Sequence, residues 1–266
     1  MKIIQITDTH IVRSGGRVNG VDPEANLRGA VADVLVRHWD ADLLVITGDL
    51  CNDGDPAAYA LLRDILAPVP FPVRLCLGNH DGRDAFVEAF PDHPRAASGH
   101  VQSFSDTPFG RLLFLDTNES GLIGGLYDAP RLAWLDEALA GAGPLPITVF
   151  LHHPPVSDGL AHFEHIRLHD DGAVMARLKR HPGGIRHVVF GHVHVPLCGT
   201  DPDGVAFSSG QACAHRFVTD PACPTPLWTG GDPCYRVITI DALGFRAYDA
   251  QVGQTVLGRA DPCAGP

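Results

Sequence analysis

Gly78-Asn79-His80-Asp81 closes the apolar run Val73-Arg74-Leu75-Cys76-Leu77, and the rest of the chain can be read outward from that join. The run reads as a buried strand. The glycine after it lets the backbone turn sharply and approach a neighbouring group. Asn79 offers a carboxamide oxygen suited to a hard cation, and His80 a titratable imidazole beside it. Taken alone, the tetrapeptide is an ordinary turn. Its weight comes from four other strand ends that also finish in potential metal ligands.

Those four ends are spread along the chain. Residues 2–7 form a short apolar strand that leads into Asp8-Thr9-His10. Residues 43–47 lead into Gly48-Asp49, residues 147–151 into His152-His153-Pro154-Pro155, and residues 187–190 into Gly191-His192-Val193-His194. Helices fill the gaps. Asp22-Pro23, Asp55-Pro56 and Asp128-Ala129-Pro130 are helix starts, each with proline just inside. Leu27, Val31, Val34 and Leu35 repeat at helical spacing after the first, Leu61, Leu62, Ile65 and Leu66 after the second, and Leu132, Leu135 and Leu139 after the third. Residues 84–90 read as a short helix, and Asp170 or Asp171 caps one through Val174, Met175 and Leu178. Residues 111–116 form a strand paired with 100–105. Two strands follow at 196–200 and 204–208, and a hairpin of 235–241 with 245–252 ends the series. Strand–helix alternation followed by mixed strands predicts mixed sheets with helices outside. No linker or internal repeat divides residues 1–266, so a single domain is expected. The irregular stretch 213–234 is expected to be a binding rim or a subunit contact of a homo-oligomer.

Composition narrows the class of function. The net charge of −11 argues against an obligatory nucleic-acid polymer, because no basic surplus is available to neutralise phosphates. No apolar stretch reaches membrane-spanning length, and the N-terminus meets Asp8 too early for a signal peptide. A cytoplasmic protein without a membrane partner is the expectation. The seven cysteines form no Cys-x-x-Cys, which disfavours structural zinc and a disulfide framework. Cys51 and Cys76 read as small core residues, and a bridge among Cys213, Cys223 and Cys234 is left open. The 15 histidines point instead to metal chemistry.

Functional groups in α/β folds gather beyond the carboxyl ends of strands. Asp8 and His10 are spaced i, i+2, as are His192 and His194, and in extended backbone such side chains point the same way. The first pair is therefore expected to share an ion and the second to face one pocket. The donors are nitrogen and oxygen without thiolate, which suits manganese, iron or zinc. Seven donors, Asp8, His10, Asp49, Asn79, His152, His192 and His194, are too many for one open tetrahedral ion and suit two ions with Asp49 between them. Such a pair remains attractive to a phosphate anion and favours phosphate-ester hydrolysis by attack of a metal-bound hydroxide.

The ordered blocks Asp8-Thr9-His10, Gly48-Asp49, Gly78-Asn79-His80-Asp81, His152-His153 and Gly191-His192-Val193-His194 resemble the calcineurin-like metallophosphoesterases. The likeness spans residue 3 to about 210. His-His-Pro-Pro and the compact size resemble the bacterial branch of cyclic-nucleotide phosphodiesterases and glycerophosphodiesterases. The resemblance implies a four-layer αββα sandwich, two mixed β-sheets flanked by helices, and two divalent or trivalent ions, manganese or iron with zinc as the alternative. It implies one ion on Asp8, His10, Asp49 and His194, and a second on Asp49, Asn79, His152 and His192. The preference for His152 over His153 comes from this pattern, which leaves His153 to orient its neighbour. His80 is implied to be catalytic rather than a ligand, stabilising phosphoryl charge and protonating the leaving group. Asn79, His80 and His194 are implied to touch the substrate, a small phosphodiester.

The chain departs from the related protein phosphatases in having no arginine shortly after Gly48-Asp49. Val193 stands where some relatives carry asparagine. A phosphomonoesterase of the same fold and a non-catalytic metal-binding scaffold are the alternatives. His162, His165 and His169 read as a solvated loop, with a gating role as the minority reading.

Overall fold

The computed structural model describes residues 1–220, 222 and 225–254. Its first half alternates β1 (Lys2–Ile6), α1 (Pro23–Arg37), β2 (Leu43–Thr47), α2 (Pro56–Leu66), β3 (Val73–Cys76) and α3 (Arg83–Ala89). The second continues with β4 (Ser103–Thr107), β5 (Gly110–Phe114), α4 (Ala129–Ala142), β6 (Ile147–Phe150), α5 (Asp171–Arg180), β7 (Ile185–Phe190), β8 (Leu197–Thr200) and β9 (Ala206–Ser209). Two short strands, β10 (Arg216–Phe217) and β11 (Trp228–Thr229), precede the hairpin β12 (Cys234–Asp241) and β13 (Gly244–Gln251).

The larger strands make two sheets, ordered β13-β12-β1-β2-β3 and β4-β5-β6-β7-β9-β8. Strands β1, β2 and β3 run parallel in the first, and β5, β6, β7 and β9 in the second. Strands buried on both faces read as unbroken apolar runs rather than as alternation. Register then sends successive side chains to opposite faces. In the first sheet, Ile3, Val45 and Cys76 meet Phe114, Phe150 and Val189 of the second. Ile4, Ile46 and Leu75 turn outward to Leu27 and Val31 of α1 and Leu62 of α2. On the far side Val149 and Val188 pack against Leu135 of α4 and Val174 and Leu178 of α5. The layers are therefore helix, sheet, sheet, helix.

The predicted caps at α1 and α2 form: the Asp22 and Asp55 carboxylates accept from Ala25 N–H and Ala57 N–H, both at 2.9 Å. At α5 the residue before the helix is Asp170, held left-handed at φ 56° without a side-chain cap bond. Cys51 and Cys76 are buried as expected, whereas Cys213 and Cys234 are both free thiols. Cys223 and Cys263 lie outside the described residues. The stretch 213–234 is less irregular than expected, because β10 and β11 pair antiparallel within it, Arg216 opposite Thr229 and Phe217 opposite Trp228.

Candidate metal centre

Parallel strands from both sheets deliver Asp8, Asp49, Asn79, His152 and His192 to one rim. The backbone reaches that rim by a different route from the extended i, i+2 geometry expected of it. Asp8, His10, Asp49, His192 and His194 all have positive φ, between 45° and 69°. They make up five of the seven described non-glycine residues in that region of conformational space. Left-handed residues turn the chain back on itself, so the convergence of each pair depends on tight turns and not on strand pleat. Such conformations persist where surrounding bonds over-determine them. Here His10 N–H donates to Asp49 O at 2.9 Å, Cys213 N–H to Thr7 O at 2.9 Å and Gly191 N–H to His152 O at 3.1 Å. Gly78 is required for packing, since a Cβ there would run into the Asp49 carboxylate and the His152 ring.

At one end of the cluster, Asp8, His10, Asp49 and His194 bring their ligand atoms within 4.8 Å of one another. His10 Nδ1 faces Asn52 Oδ1 at 3.2 Å, and His194 Nδ1 faces the His215 carbonyl at 2.8 Å. Both partners are acceptors, so in each neutral ring Nδ1 carries the hydrogen and Nε2 presents a bare lone pair. Those two Nε2 atoms stand 3.1 Å apart. Facing lone pairs at that distance repel each other unless an electrophile lies between or beside them.

The other end repeats the logic. His152 Nδ1 donates to Thr47 O at 2.8 Å, directing Nε2 to a point shared with Asn79 Oδ1 at 3.2 Å, Asp49 Oδ1 at 3.4 Å and His192 Nδ1 at 3.3 Å. Asp49 spans both ends, with Oδ1 near His152 Nε2 and Oδ2 3.5 Å from His10 Nε2. Asp8 is fixed by His192 N–H at 3.0 Å and by the Thr7 hydroxyl at 2.6 Å. Nitrogen and carboxylate donors converging with their hydrogens turned away fit two adjacent hard or borderline cations.

The electrostatics fit the same picture. Burial keeps His10 and His192 well below the usual imidazole range and pushes His194 down to about 4, so all three present neutral rings at pH 7. Burial pushes Asp8 up to about 7 against the pull of His152, with Asp49 adding to the rise. Burial opposes ionisation of Asp49 too, but His152 and His10 hold it well below the carboxylate range. Burial also disfavours charge on His152, yet Asp49 and Asp8 raise it to about 9. A proton there occupies the place a cation would take.

His80 lies outside this cluster, exposed at the mouth, with its N–H on Asp49 Oδ1 at 3.0 Å and Nδ1 on the Asn52 carbonyl at 2.7 Å. His153 is fully buried and both its nitrogens are engaged, with the Thr117 hydroxyl at 2.8 Å and the Ile123 carbonyl at 3.2 Å. Its ring packs on His152 and His192, 4.7 and 4.8 Å between centroids. The loop of His162, His165 and His169 divides: His165 and His169 are exposed, but His162, Phe163 and Ile166 wall the cleft, so the expectation of a solvated loop fails for that part.

Three contributors escape sequence reasoning. His215 packs 4.5 Å from His194 and 5.0 Å from His10, on a stretch without strand or motif signal. Asp81 accepts from Leu50, Cys51 and Gly78 N–H and from the Tyr59 hydroxyl, tying the turns after β2 and β3 together. Asn118 Nδ2 donates to the carbonyls of Gly78 and Asp81, and Arg83 joins Asp116 to Asn118. Asp116-Thr117-Asn118 follows a strand as the other blocks do, and that position was the available signal.

A two-sheet sandwich with a shared-carboxylate cluster of histidines at its rim defines a metal-dependent phosphoesterase. The chain belongs to the calcineurin-like phosphoesterase family, which matches residues 1–196. It is 38% identical to a probable cyclic nucleotide phosphodiesterase of Rhodopseudomonas palustris, over 83% of this chain and 81% of that protein. It is 31% identical to a glycerophosphodiester phosphodiesterase of Enterobacter lignolyticus, over 73% and 71%. The fold matches that of a dimetal phosphatase from Danio rerio with a TM-score of 0.70 at 16% identity, covering 95% of this chain and 99% of that one.

Proposed function

We propose that this chain hydrolyses a small phosphodiester, a cyclic nucleotide or a glycerophosphodiester, at a pair of metal ions. The observation that carries the reading is the two-ended convergence of imidazole nitrogens on the carboxylate of Asp49. The names of the relatives supply the two substrate classes. Asp8, His10, Asp49 and His194 would hold one ion, and Asp49, Asn79, His152 and His192 the other. When bound, such a pair supplies Lewis acidity at the phosphoryl oxygens and lowers the pKa of water.

The remaining chemistry belongs to side chains. His80 keeps a hydrogen on Nδ1 for the Asn52 carbonyl, which leaves Nε2 to carry and release a second proton. Beside the phosphoryl group it stabilises developing charge and protonates the departing alkoxide. The backbone bond from His80 to Asp49 and the clasp of Asn118 on the Gly78 and Asp81 carbonyls hold that imidazole in position. His153 orients His152 and His192 by packing, with its own nitrogens already committed.

The proposal also takes manganese or iron as the ions, the whole chain as one catalytic domain, a cytoplasmic location and a homo-oligomer as the working state. Among the described residues no helix is long and apolar enough to cross a membrane. The test is turnover of bis(p-nitrophenyl) phosphate with Mn²⁺, before and after chelation, alongside p-nitrophenyl phosphate. Metal-dependent diester turnover that exceeds monoester turnover is expected. Turnover that is absent or insensitive to metal would sink the reading, and clear monoester preference would make the protein a phosphatase.

A further inference from the structure

The cleft above the cluster is about 200 Å³ in volume and opens to solvent. Its polar floor is accounted for, but its two upper walls are not. One is Ile123, 62% exposed, whose carbonyl accepts from His153 beside His152 and His192. The other is Trp228 of β11, 53% exposed, packed 4.7 Å from His215, which itself lies 4.5 Å from His194. The two large apolar side chains line one cleft, Ile123 beside His153 and Trp228 beside His215, and both are exposed.

Trp228 is held firmly for an exposed residue. Its ring lies 4.5 Å from Phe217 at 36°, and it meets His215 nearly edge-on at 73°. The β10–β11 pairing sets Phe217 opposite it. Phe217 and Phe163 are themselves buried, so of these three rings Trp228 is the one with free surface to offer. No lysine or arginine lines the cleft among the described residues, and its carboxylate, Asp49, faces the cluster. A quaternary ammonium prefers several open ring faces near a negative charge. A single open indole in a cleft that also carries an exposed aliphatic side chain instead suits a flat uncharged ring, since every base has a π-face to stack.

We propose that Trp228 is a specificity-determining residue that stacks the planar base of the diester, so that the preferred substrates are nucleotide-like rather than glycerol-based. The inference rests on the phosphodiesterase reading and deepens it. The ring of Trp228 packs on His215 and Phe217, neither of them a proposed ligand, so its role is in binding and not in bond cleavage.

The test uses the full chain loaded with Mn²⁺ and three diesters: 3′,5′-cyclic AMP, glycerophosphocholine and bis(p-nitrophenyl) phosphate. Trp228→Ala should raise KM for cyclic AMP about tenfold while kcat moves less than about twofold. Its effect on glycerophosphocholine should be negligible, and Trp228→Phe should restore most of the loss. A uniform loss on all three substrates, no loss, or a larger loss on glycerophosphocholine would overturn the proposal, the last in favour of a cation-binding wall. A second readout needs no turnover: AMP added to the Zn²⁺-loaded protein should quench intrinsic fluorescence, and Trp228→Phe should abolish most of that quenching. Absence of turnover on every diester would refute the phosphodiesterase reading, and the quenching would still decide the stacking proposal; equal quenching in wild type and variant refutes it.

Discussion

The floor and the rim of the cleft are built by opposite strategies. On the floor, Asp8, His10, Asp49, His192 and His194 sit in left-handed backbone, almost fully buried, each held by bonds from another segment. At the rim, His80, Ile123 and Trp228 are exposed and ride on turns or a two-residue ladder. The floor has little freedom to vary without losing the convergence of donors. The rim is free to change which organic group is held above it. On the proposed reading, reaction type and substrate choice fall to separate parts of one cleft.

Breaking the floor should have the largest effect. Asp49→Ala removes the carboxylate that faces His152 Nε2 with one oxygen and His10 Nε2 with the other, so activity should vanish and bound metal, counted by elemental analysis, should fall below two ions per chain. Two tightly held ions in that variant would contradict the shared role. His80→Ala, one step outward, should keep both ions while kcat falls about 10²–10⁴-fold. Unchanged kcat would remove His80 from the chemistry.

Asp81→Ala probes what holds the floor together. It would strand three buried N–H groups and a buried hydroxyl. With each unsatisfied donor costing about 1–3 kcal/mol, denaturant unfolding should show a loss of at least about 3 kcal/mol. A loss under about 1 kcal/mol would mean that the turns do not depend on this carboxylate.

The pH response should separate metal-free from metal-loaded protein. His152 is raised to about 9 from an ordinary value near 6.5, so the folded state holds a proton that the unfolded chain has released. The stability this contributes is fully present below about 6.5 and is lost as pH rises through about 9. Asp8, raised to about 7, adds to the fall at the lower edge of that window. The chelated protein should therefore melt at progressively lower temperature from pH 6.5 to 9. Metal affinity should rise over the same interval as the competing proton leaves. Parallel melting curves with and without metal would refute this account. The smallest effect belongs to the rim: the Trp228→Ala change of about tenfold in KM for one substrate class, which sharpens the division if kcat holds steady.

The sequence alone carried the order of elements and the identity of most floor residues, because both are local. An apolar run followed by Gly-Asp or Gly-Asn-His says where a strand stops and which donor comes next, and Asp-Pro says where a helix starts. The reason offered for convergence, strand pleat at i, i+2, failed because the donors lie just past the strands, in turns whose handedness is imposed by long-range bonds such as Cys213 N–H to Thr7 O. Preference for His152 over His153 likewise had no local signature. In the structure the Thr117 hydroxyl and the Ile123 carbonyl engage the two nitrogens of His153, contacts that no local pattern announces. His215, Asp81 and Trp228 act through neighbours 20 or more residues away in the chain, or through a ladder between strands of two residues each. Contacts of that range leave no periodicity in sequence, so tertiary structure alone decided them.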